Sequence, residues 1–189
     1  MKVLVYSAKD FEIPFLQKAN NNKHQISFIQ QRLTSRTAIK AAGYEAISIF
    51  SADDASSNIL QKLKDFGVKY IALRSTGHDN INCQTAQKLG IKVANAPNYS
   101  SYAIAEHALA LLLAINRKLI VSRDQIKQND FSLDNVVGFN INGKTAGIIG
   151  TGRIGKIIAK ILNGFGCEIL ATDLERDKDL MEDYDVNYC

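Results

Sequence analysis

The chain has 189 residues, of which 46% are hydrophobic and 22% charged, which predicts a globular protein of one large or two small domains. Its net charge of +4 comes from lysines and arginines spread along the chain without a basic run, which argues against nucleic acid as a main partner. No apolar run has the length of a membrane span or the form of a secretory signal, and no cysteine pair has zinc-site spacing, which predicts a cytoplasmic protein with reduced thiols and no metal.

Short β-like runs alternate with helical patterns over the first hundred residues. Strands are predicted at residues 2–6, 46–50, 70–73 and 91–94. Helices are predicted from Ile13 or Pro14 to 19, from 57 to 66, and from an Asn82 cap to Leu89. This alternation predicts a parallel sheet covered by helices, so residues 1–100 are predicted to form a domain of their own.

Two loops of this first domain follow predicted strands, where open α/β sheets usually bind ligands. In the loop 74–80, with sequence RSTGHDN, the amides of Thr76 and Gly77 are suited to form a nest for a carboxylate. A second interpretation has equal weight, in which the loop only links a strand to the next helix. The loop 96–101 offers the phenol of Tyr99, although a single loop tyrosine more often packs than recognises a ligand.

One long helix is predicted from a cap at Ser100 or Ser101 to about residue 128, leading into a second domain at 101–189. Its apolar run from 108 to 115 is interpreted as a buried core helix. His107 lies within this helix beside Glu106, and His78 lies in the first loop without a definable partner. Structural roles are favoured for both histidines over acid–base chemistry.

A glycine motif of the G-x-G-x-x-G type lies within residues 143–173, whose sequence is GKTAGIIGTGRIGKIIAKILNGFGCEILATD. Gly150 permits a sharp backbone turn, Gly152 the approach of a pyrophosphate, and Gly155 close packing of a helix on a strand. An apolar strand predicted at 145–149 precedes the motif, and an amphipathic helix follows it. The free amides at the start of that helix favour an anion.

A second apolar strand is predicted at 167–171, and Asp173 follows it, where a carboxylate accepts hydrogen bonds from a ribose diol. Its charge would repel a 2′-phosphate, so NAD is favoured over NADP, although Arg176 nearby weakens that preference. The alternative is an ordinary glycine turn with Asp173 capping a loop. The complete order of strand, helix, second strand and acid favours dinucleotide binding.

Four segments in order resemble the D-isomer-specific 2-hydroxyacid dehydrogenase family, and within it the fermentative D-lactate dehydrogenases: RSTGHDNIN, VANAPNYSSYAIAEHALALL, GKTAGIIGTGRIG and GFGCEILATD. The resemblance covers almost the whole chain. It implies an α/β fold, in which a flavodoxin-like parallel-sheet substrate domain at 1–100 precedes the first half of a Rossmann NAD-binding domain at 101–189. Ser101 stands where the family often has proline, and Asn82 where it usually has aspartate.

The resemblance also implies site residues. Substrate-binding roles fall on Thr76, Gly77 and Tyr99. Cofactor-binding roles fall on Gly150, Gly152, Arg153, Ile154, Gly155 and Asp173. The catalytic Arg, Glu and His of the family are expected beyond residue 189, so the chain is interpreted as an N-terminal fragment that is inactive alone.

The protein from which the chain derives is therefore predicted to reduce pyruvate to D-lactate with NADH, as a homo-oligomer (a dimer or tetramer). Alternatives are family members that act on glycerate, formate or longer 2-keto acids, dinucleotide-sensing corepressors of the same family, and a truncated non-catalytic remnant. The strand at 145–149 is further expected to lack a neighbour on one side, which would leave an open edge and exposed apolar surface.

Overall fold

The computed structural model describes all of residues 1–189, and the chain divides into two compact units. Unit 1 is Met1–Tyr99 and unit 2 is Ser100–Cys189. Helices and parallel strands alternate in both, as the sequence predicts for an α/β chain.

Unit 1 is built on a five-stranded parallel sheet. Its strands are β1 (Lys2–Val5), β2 (Gln25–Phe28), β3 (Ala46–Ile49), β4 (Tyr70–Leu73) and β5 (Lys92–Ala94). Its helices are α1 (Ile13–Asn20), α2 (Ser57–Asp65) and α3 (Cys83–Lys88), with a short 3-10 turn at Ala38–Ala41. The strand order β2-β1-β3-β4-β5 is that of the flavodoxin-like folds, which confirms the predicted fold class.

The core of unit 1 lies between the centre of this sheet and α2. All four residues of β3 are buried, whereas β4 alternates and buries only Ile71 and Leu73. Helix α2 places Ile59, Leu60 and Leu63 on its buried face. Each such side chain stabilises the fold by about 1.5–3 kcal/mol relative to an exposed one. Burial of these apolar side chains therefore stabilises the sheet from which the loop 74–80 extends.

Strand β2 has no counterpart among the predicted elements. Its sequence QISF alternates polar and apolar residues over only four positions, contains no fully buried residue and is preceded by a polar run. Pairing with β1, in the register Lys2 to Gln25, determines its extended conformation. This strand was missed because its pairing partner is distant in sequence.

Unit 2 contains a three-stranded parallel sheet in the order β6-β7-β8. Its strands are β6 (Thr145–Ile149), β7 (Glu168–Thr172) and β8 (Asn187–Tyr188). Its helices are α4 (Ser101–Asn116), α5 (Leu119–Lys127), α6 (Arg153–Gly164) and α7 (Lys178–Tyr184). The order from β6 to β8 is that of one βαβαβ half of a Rossmann fold. Strand β6 is an edge strand whose Ile149 is 93% exposed, so the expected open edge is present.

The prediction of one continuous helix to residue 128 is wrong. The Ser100 hydroxyl caps α4 by accepting from the Ala103 amide at 3.2 Å, as expected, but α4 ends at Asn116. Lys118 has a positive φ of 54°, which breaks the helix before α5. The buried Asn116 amide group pairs with both backbone groups of Phe139, at 2.8 and 3.0 Å. The segment around Phe139 is therefore hydrogen-bonded to the C-terminal end of α4.

The interpretation of residues 108–115 as a buried core helix is also wrong for this chain. Only Ala105, Leu109 and Asn116 of α4 are buried. Leu111 and Ile115 are 50% and 69% exposed. The helix is apolar all round, but it packs one side on α6 within unit 2 and leaves the others accessible. Sequence hydrophobicity shows that these side chains favour burial and does not show what covers them.

Candidate functional site

The glycine loop of unit 2 connects β6 to α6. Gly150 follows β6 directly and has a φ of +89°, a conformation that side chains other than hydrogen rarely adopt. Its amide donates to the Thr172 carbonyl at the end of β7, at 2.8 Å. The turn therefore brings the loop across the carboxyl ends of both strands.

The other two motif glycines meet different steric requirements. A Cβ added to Gly155 would lie 2.0 Å from the carbonyl oxygen of Gly150, so only glycine permits this approach of α6 to the turn. A Cβ added to Gly152 would meet no atom within 4 Å, which leaves space over the loop. Gly155 thus serves the packing of the chain on itself, and Gly152 keeps open a surface that a ligand can approach.

Backbone amides line that open surface. The N–H groups of Gly152, Ile154 and Gly155 donate no hydrogen bond within the chain, because α6 begins at Arg153 and its first turn has no preceding helical carbonyl. The partial positive charge of a helix N-terminus adds to these donors. Arg153 and Ile154 lie in this first turn, and both side chains are exposed. The arrangement is suited to binding a phosphate group.

Asp173 lies one residue after β7, next to the glycine loop. Its Oδ2 accepts from the Thr151 amide at 2.5 Å and from the Thr151 hydroxyl at 3.0 Å, and its Oδ1 accepts from the Leu174 amide at 2.7 Å. These bonds, with that of the Thr151 amide the largest influence, hold the pKa of the Asp173 carboxyl below its usual range. The residue is exposed, so an ionised carboxylate is presented to solvent beside the unpaired amides of the glycine loop.

Thr151 also connects Asp173 to the last elements of the chain. The Tyr188 hydroxyl on β8 donates to Thr151 Oγ1 at 2.9 Å, and the Asp177 amide donates to the Tyr188 oxygen at 3.1 Å. The Asp177 side chain caps α7 and accepts from Lys156 Nζ of α6 at 2.7 Å. Sequence reasoning missed Thr151 and Tyr188. The only local signal was that Thr151 is the first variable position of the glycine motif.

The second predicted site is the loop that follows β4 in unit 1. The Thr76 hydroxyl donates to the Ala96 carbonyl at 2.9 Å, and Asn95 Nδ2 donates to the Thr76 carbonyl at 2.8 Å. The Ser75 hydroxyl donates to the Gly77 carbonyl at 2.7 Å. The amides of Thr76 and Gly77 donate no hydrogen bond within the chain and are exposed. The loop is thus fixed through its carbonyls and hydroxyls, while two consecutive N–H groups remain available to an anion.

Arg74 anchors the start of this loop. Its guanidinium donates to the Tyr6 carbonyl at 2.8 Å, to Ser48 Oγ at 3.1 Å, and to the Glu12 carboxylate at 3.2 Å. Its side chain is only 12% exposed. Although Arg74 begins this loop, its guanidinium is occupied by hydrogen bonds within the chain.

The remaining candidate residues, Tyr99, His78 and His107, form no side-chain hydrogen bond with these groups of their own unit. Tyr99 is 60% exposed. His78 and His107 are exposed, and neither imidazole ring forms a hydrogen bond or ion pair within the chain. No group of three or more His, Cys, Asp or Glu side chains is placed to hold a metal ion. None of the helices combines the length and apolar character that crossing a membrane requires.

Comparison with known proteins finds a family whose match covers most of the chain. Residues 3–178 match the family described as D-isomer specific 2-hydroxyacid dehydrogenase, catalytic domain. The chain belongs to this family. The match includes the loop 74–80, the glycine loop and Asp173, so all the predicted site residues lie within the part of the chain that the family describes.

Individual members of the family show how much of a relative the chain represents. It is 42% identical to the D-lactate dehydrogenase of Escherichia coli over 92% of its own length and 53% of that protein's. It is 38% identical to a 2-hydroxyacid dehydrogenase homolog of Zymomonas mobilis, over 95% and 55% of the two lengths. The chain thus spans about half the length of the curated relatives it matches.

Solved structures of family members share the fold. The apo-structure of the E. coli D-lactate dehydrogenase matches with a TM-score of 0.92 and 40% identity, covering all of this chain and 60% of that one. The D-lactate dehydrogenase of Aquifex aeolicus, solved in complex with NAD and lactic acid, matches with a TM-score of 0.84 and 31% identity. That match covers 99% of this chain and 55% of that one.

Proposed function

We propose that this chain forms the adenosine- and pyrophosphate-binding half of an NAD site, together with the carboxylate-binding loop of a D-2-hydroxyacid dehydrogenase. The observation that carries the proposal is the glycine loop. Its open face at Gly152 is lined by unpaired amides, and an exposed, ionised Asp173 stands at the end of the neighbouring strand. A dinucleotide needs this combination of a phosphate site and a ribose acceptor.

The residues present fit such a cofactor. The amides of Gly152, Ile154 and Gly155 would hold the pyrophosphate, with Arg153 beside them, and Gly150 shapes the turn. Asp173 would accept from the adenine ribose, and its charge disfavours a 2′-phosphate, which supports NAD over NADP. When bound, NAD supplies hydride transfer at its nicotinamide ring. The part of this chain described above binds and orients the other end of the molecule.

The substrate proposed for the whole protein is pyruvate, reduced to D-lactate. The exposed amides of Thr76 and Gly77 would bind the substrate carboxylate, with Tyr99 as a further contact. The names of its relatives support the choice of lactate within the family. Glycerate, formate and longer 2-keto acids are the alternative substrates, because a carboxylate-binding loop alone does not distinguish among them.

Isothermal titration of the 1–189 chain is expected to show binding of NAD and much weaker binding of NADP. Asp173→Asn is expected to weaken NAD binding by about tenfold and to reduce the difference between the two cofactors, because the ribose loses a charged acceptor. Asp183→Asn is the control, since it removes the same charge from an exposed position of α7. Equal binding of NAD and NADP by the wild-type chain would contradict the proposed role of Asp173.

Turnover is expected to require more than these 189 residues. The purified 1–189 chain should not consume NADH in the presence of pyruvate, because the catalytic Arg, Glu and His implied by the family resemblance have no counterparts in it. A protein that carries this chain within a sequence of its relatives' length should consume NADH fastest with pyruvate. The decrease of NADH absorbance with pyruvate, hydroxypyruvate and longer 2-keto acids measures both expectations. Turnover by the 1–189 chain, or preference for another acid, would refute the corresponding one.

A further inference from the structure

A directed chain of hydrogen bonds ends on the Asp173 carboxylate. It runs from the Asp177 amide to the Tyr188 hydroxyl, from there to the Thr151 hydroxyl, and then to Oδ2 of Asp173. The three distances are 3.1, 2.9 and 3.0 Å. These hydrogen bonds connect segments of unit 2 that are distant in sequence, since Thr151 and Tyr188 are 37 positions apart.

The chemistry of the two ends fixes the direction of every proton between them. A backbone amide can only donate, and an ionised carboxylate can only accept. The Tyr188 oxygen therefore accepts from Asp177 and gives its own proton to Thr151. The Thr151 hydroxyl must then point its proton at Asp173. Hydrogen bonds aligned in this way polarise one another, so the last bond is strengthened by those before it.

The same residue holds the carboxylate by a second bond. The Thr151 amide also donates to Oδ2, so this oxygen receives two bonds from one residue of the glycine loop. Oδ1 receives a bond from the Leu174 amide. Because the carboxylate is fixed before any ligand arrives, less rotational freedom is lost when a ligand binds to it.

We propose that Thr151 and Tyr188 are positioning residues for the ribose-binding carboxylate. Thr151 holds Asp173 in its binding orientation, and Tyr188 orients the Thr151 hydroxyl toward it. This inference rests on the proposed function, because it assumes that Asp173 accepts from a ribose. It adds that the segment from α7 to β8 sets the affinity of the cofactor site without touching the cofactor.

The inference is tested with the 1–189 chain and the variants Thr151→Val, Thr151→Ser, Tyr188→Phe and Asp173→Asn. The first measurement needs no ligand and follows the Asp173 carboxyl by carbon NMR as the pH is changed. In the wild-type chain this group should titrate below its usual range, and in Thr151→Val and Tyr188→Phe it should titrate at higher pH. Thr151→Ser, which keeps the hydroxyl, should behave as the wild-type chain.

The second measurement compares ADP with 2′,3′-dideoxy-ADP, which lacks the ribose hydroxyls, by isothermal titration. Thr151→Val and Tyr188→Phe should weaken ADP binding by about three- to tenfold and leave the dideoxy compound unaffected, because they act through the ribose contact. In the Asp173→Asn background the Thr151→Val change should have no further effect on ADP binding. A merely structural role would weaken both nucleotides alike.

Failure of the inference and failure of the proposed function give different results. If Asp173→Asn weakens ADP binding but Thr151→Val and Tyr188→Phe do not, the positioning roles are wrong and the cofactor site stands. Weakening of both nucleotides by Thr151→Val also overturns the positioning role. If the wild-type chain binds neither nucleotide, the proposed function is overturned, and the inference falls with it. Circular dichroism of each variant shows that any change in affinity arises in a folded chain.

Discussion

Replacing Gly155 with alanine is expected to destabilise unit 2 and to weaken its binding of NAD by tenfold or more. The added Cβ would lie 2.0 Å from the Gly150 carbonyl oxygen and 3.0 Å from its carbon. Because both are backbone atoms, no side-chain rotation can relieve the clash, and the start of α6 must move away from β6. Overpacking of this kind costs about 1–3 kcal/mol, and the displaced helix also moves the amides proposed to hold the pyrophosphate.

Two other glycines of the same region provide controls. Gly164→Ala, at the last position of α6, meets no atom within 4 Å and should leave both stability and NAD binding intact. Gly152→Ala also meets no atom, so it should lower stability by about 1 kcal/mol at most while occupying the space proposed for the phosphate. Hydrogen exchange of unit 2 peptides and isothermal titration with NAD separate these outcomes. Wild-type exchange and affinity in Gly155→Ala would show that the close approach is not required.

Asp53→Ala is expected to lower the free energy of unfolding of unit 1 by about 3–5 kcal/mol, because buried donors lose their charged acceptor. Asp53 is 2% exposed. Its Oδ1 accepts from the Ser7 hydroxyl and the Leu33 amide, both at 2.7 Å, and its Oδ2 accepts from the Phe50 amide at 2.6 Å. One carboxylate therefore joins the segments that follow β1, β2 and β3.

Urea denaturation and hydrogen exchange of unit 1 peptides measure this effect, with unit 2 peptides as the internal reference. Asp65→Ala is the control, because Asp65 is exposed at the end of α2 and accepts only from Gln61, at 3.1 Å. Its loss should change stability by about 0.5 kcal/mol or less.

A second readout is the pKa of Tyr6, which burial and then the nearby Asp53 charge raise to about 12. Asp53→Asn should lower it. Equal stability of the two alanine variants would contradict the role given to Asp53.

The parts of the fold that follow from short-range patterns could be predicted from the sequence. Strands β4 and β6 have their predicted ends, and Asn82 caps α3 by accepting from the Thr85 amide at 2.8 Å. The glycine spacing also identified the loop between β6 and α6. In each case the feature that decides the local structure is an alternation, a helix cap or a turn. Each of these features involves only residues a few positions apart.

The parts that depend on distant partners could not be predicted. The break after Asn116 is coupled to Phe139, 23 positions later, and the position of Asp173 is coupled through Thr151 to Tyr188. Helix α7 is rich in charged residues and buries only Leu180, so its pattern gave no sign of an amphipathic helix. The exposure of Leu111 and Ile115 was likewise unpredictable, because a sequence does not state which surfaces meet.

The order of strands in unit 1 has a consequence for synthesis on the ribosome. Every strand pairing of its sheet, from β2 across to β5, is made between residues within the first 94. A growing chain leaves the ribosome from its N-terminus, and domains fold largely as units in that order. The sheet of unit 1 can therefore be completed while β6 and its glycine loop are still being translated. Vectorial folding would thus build the loop 74–80 before the glycine loop of unit 2 exists.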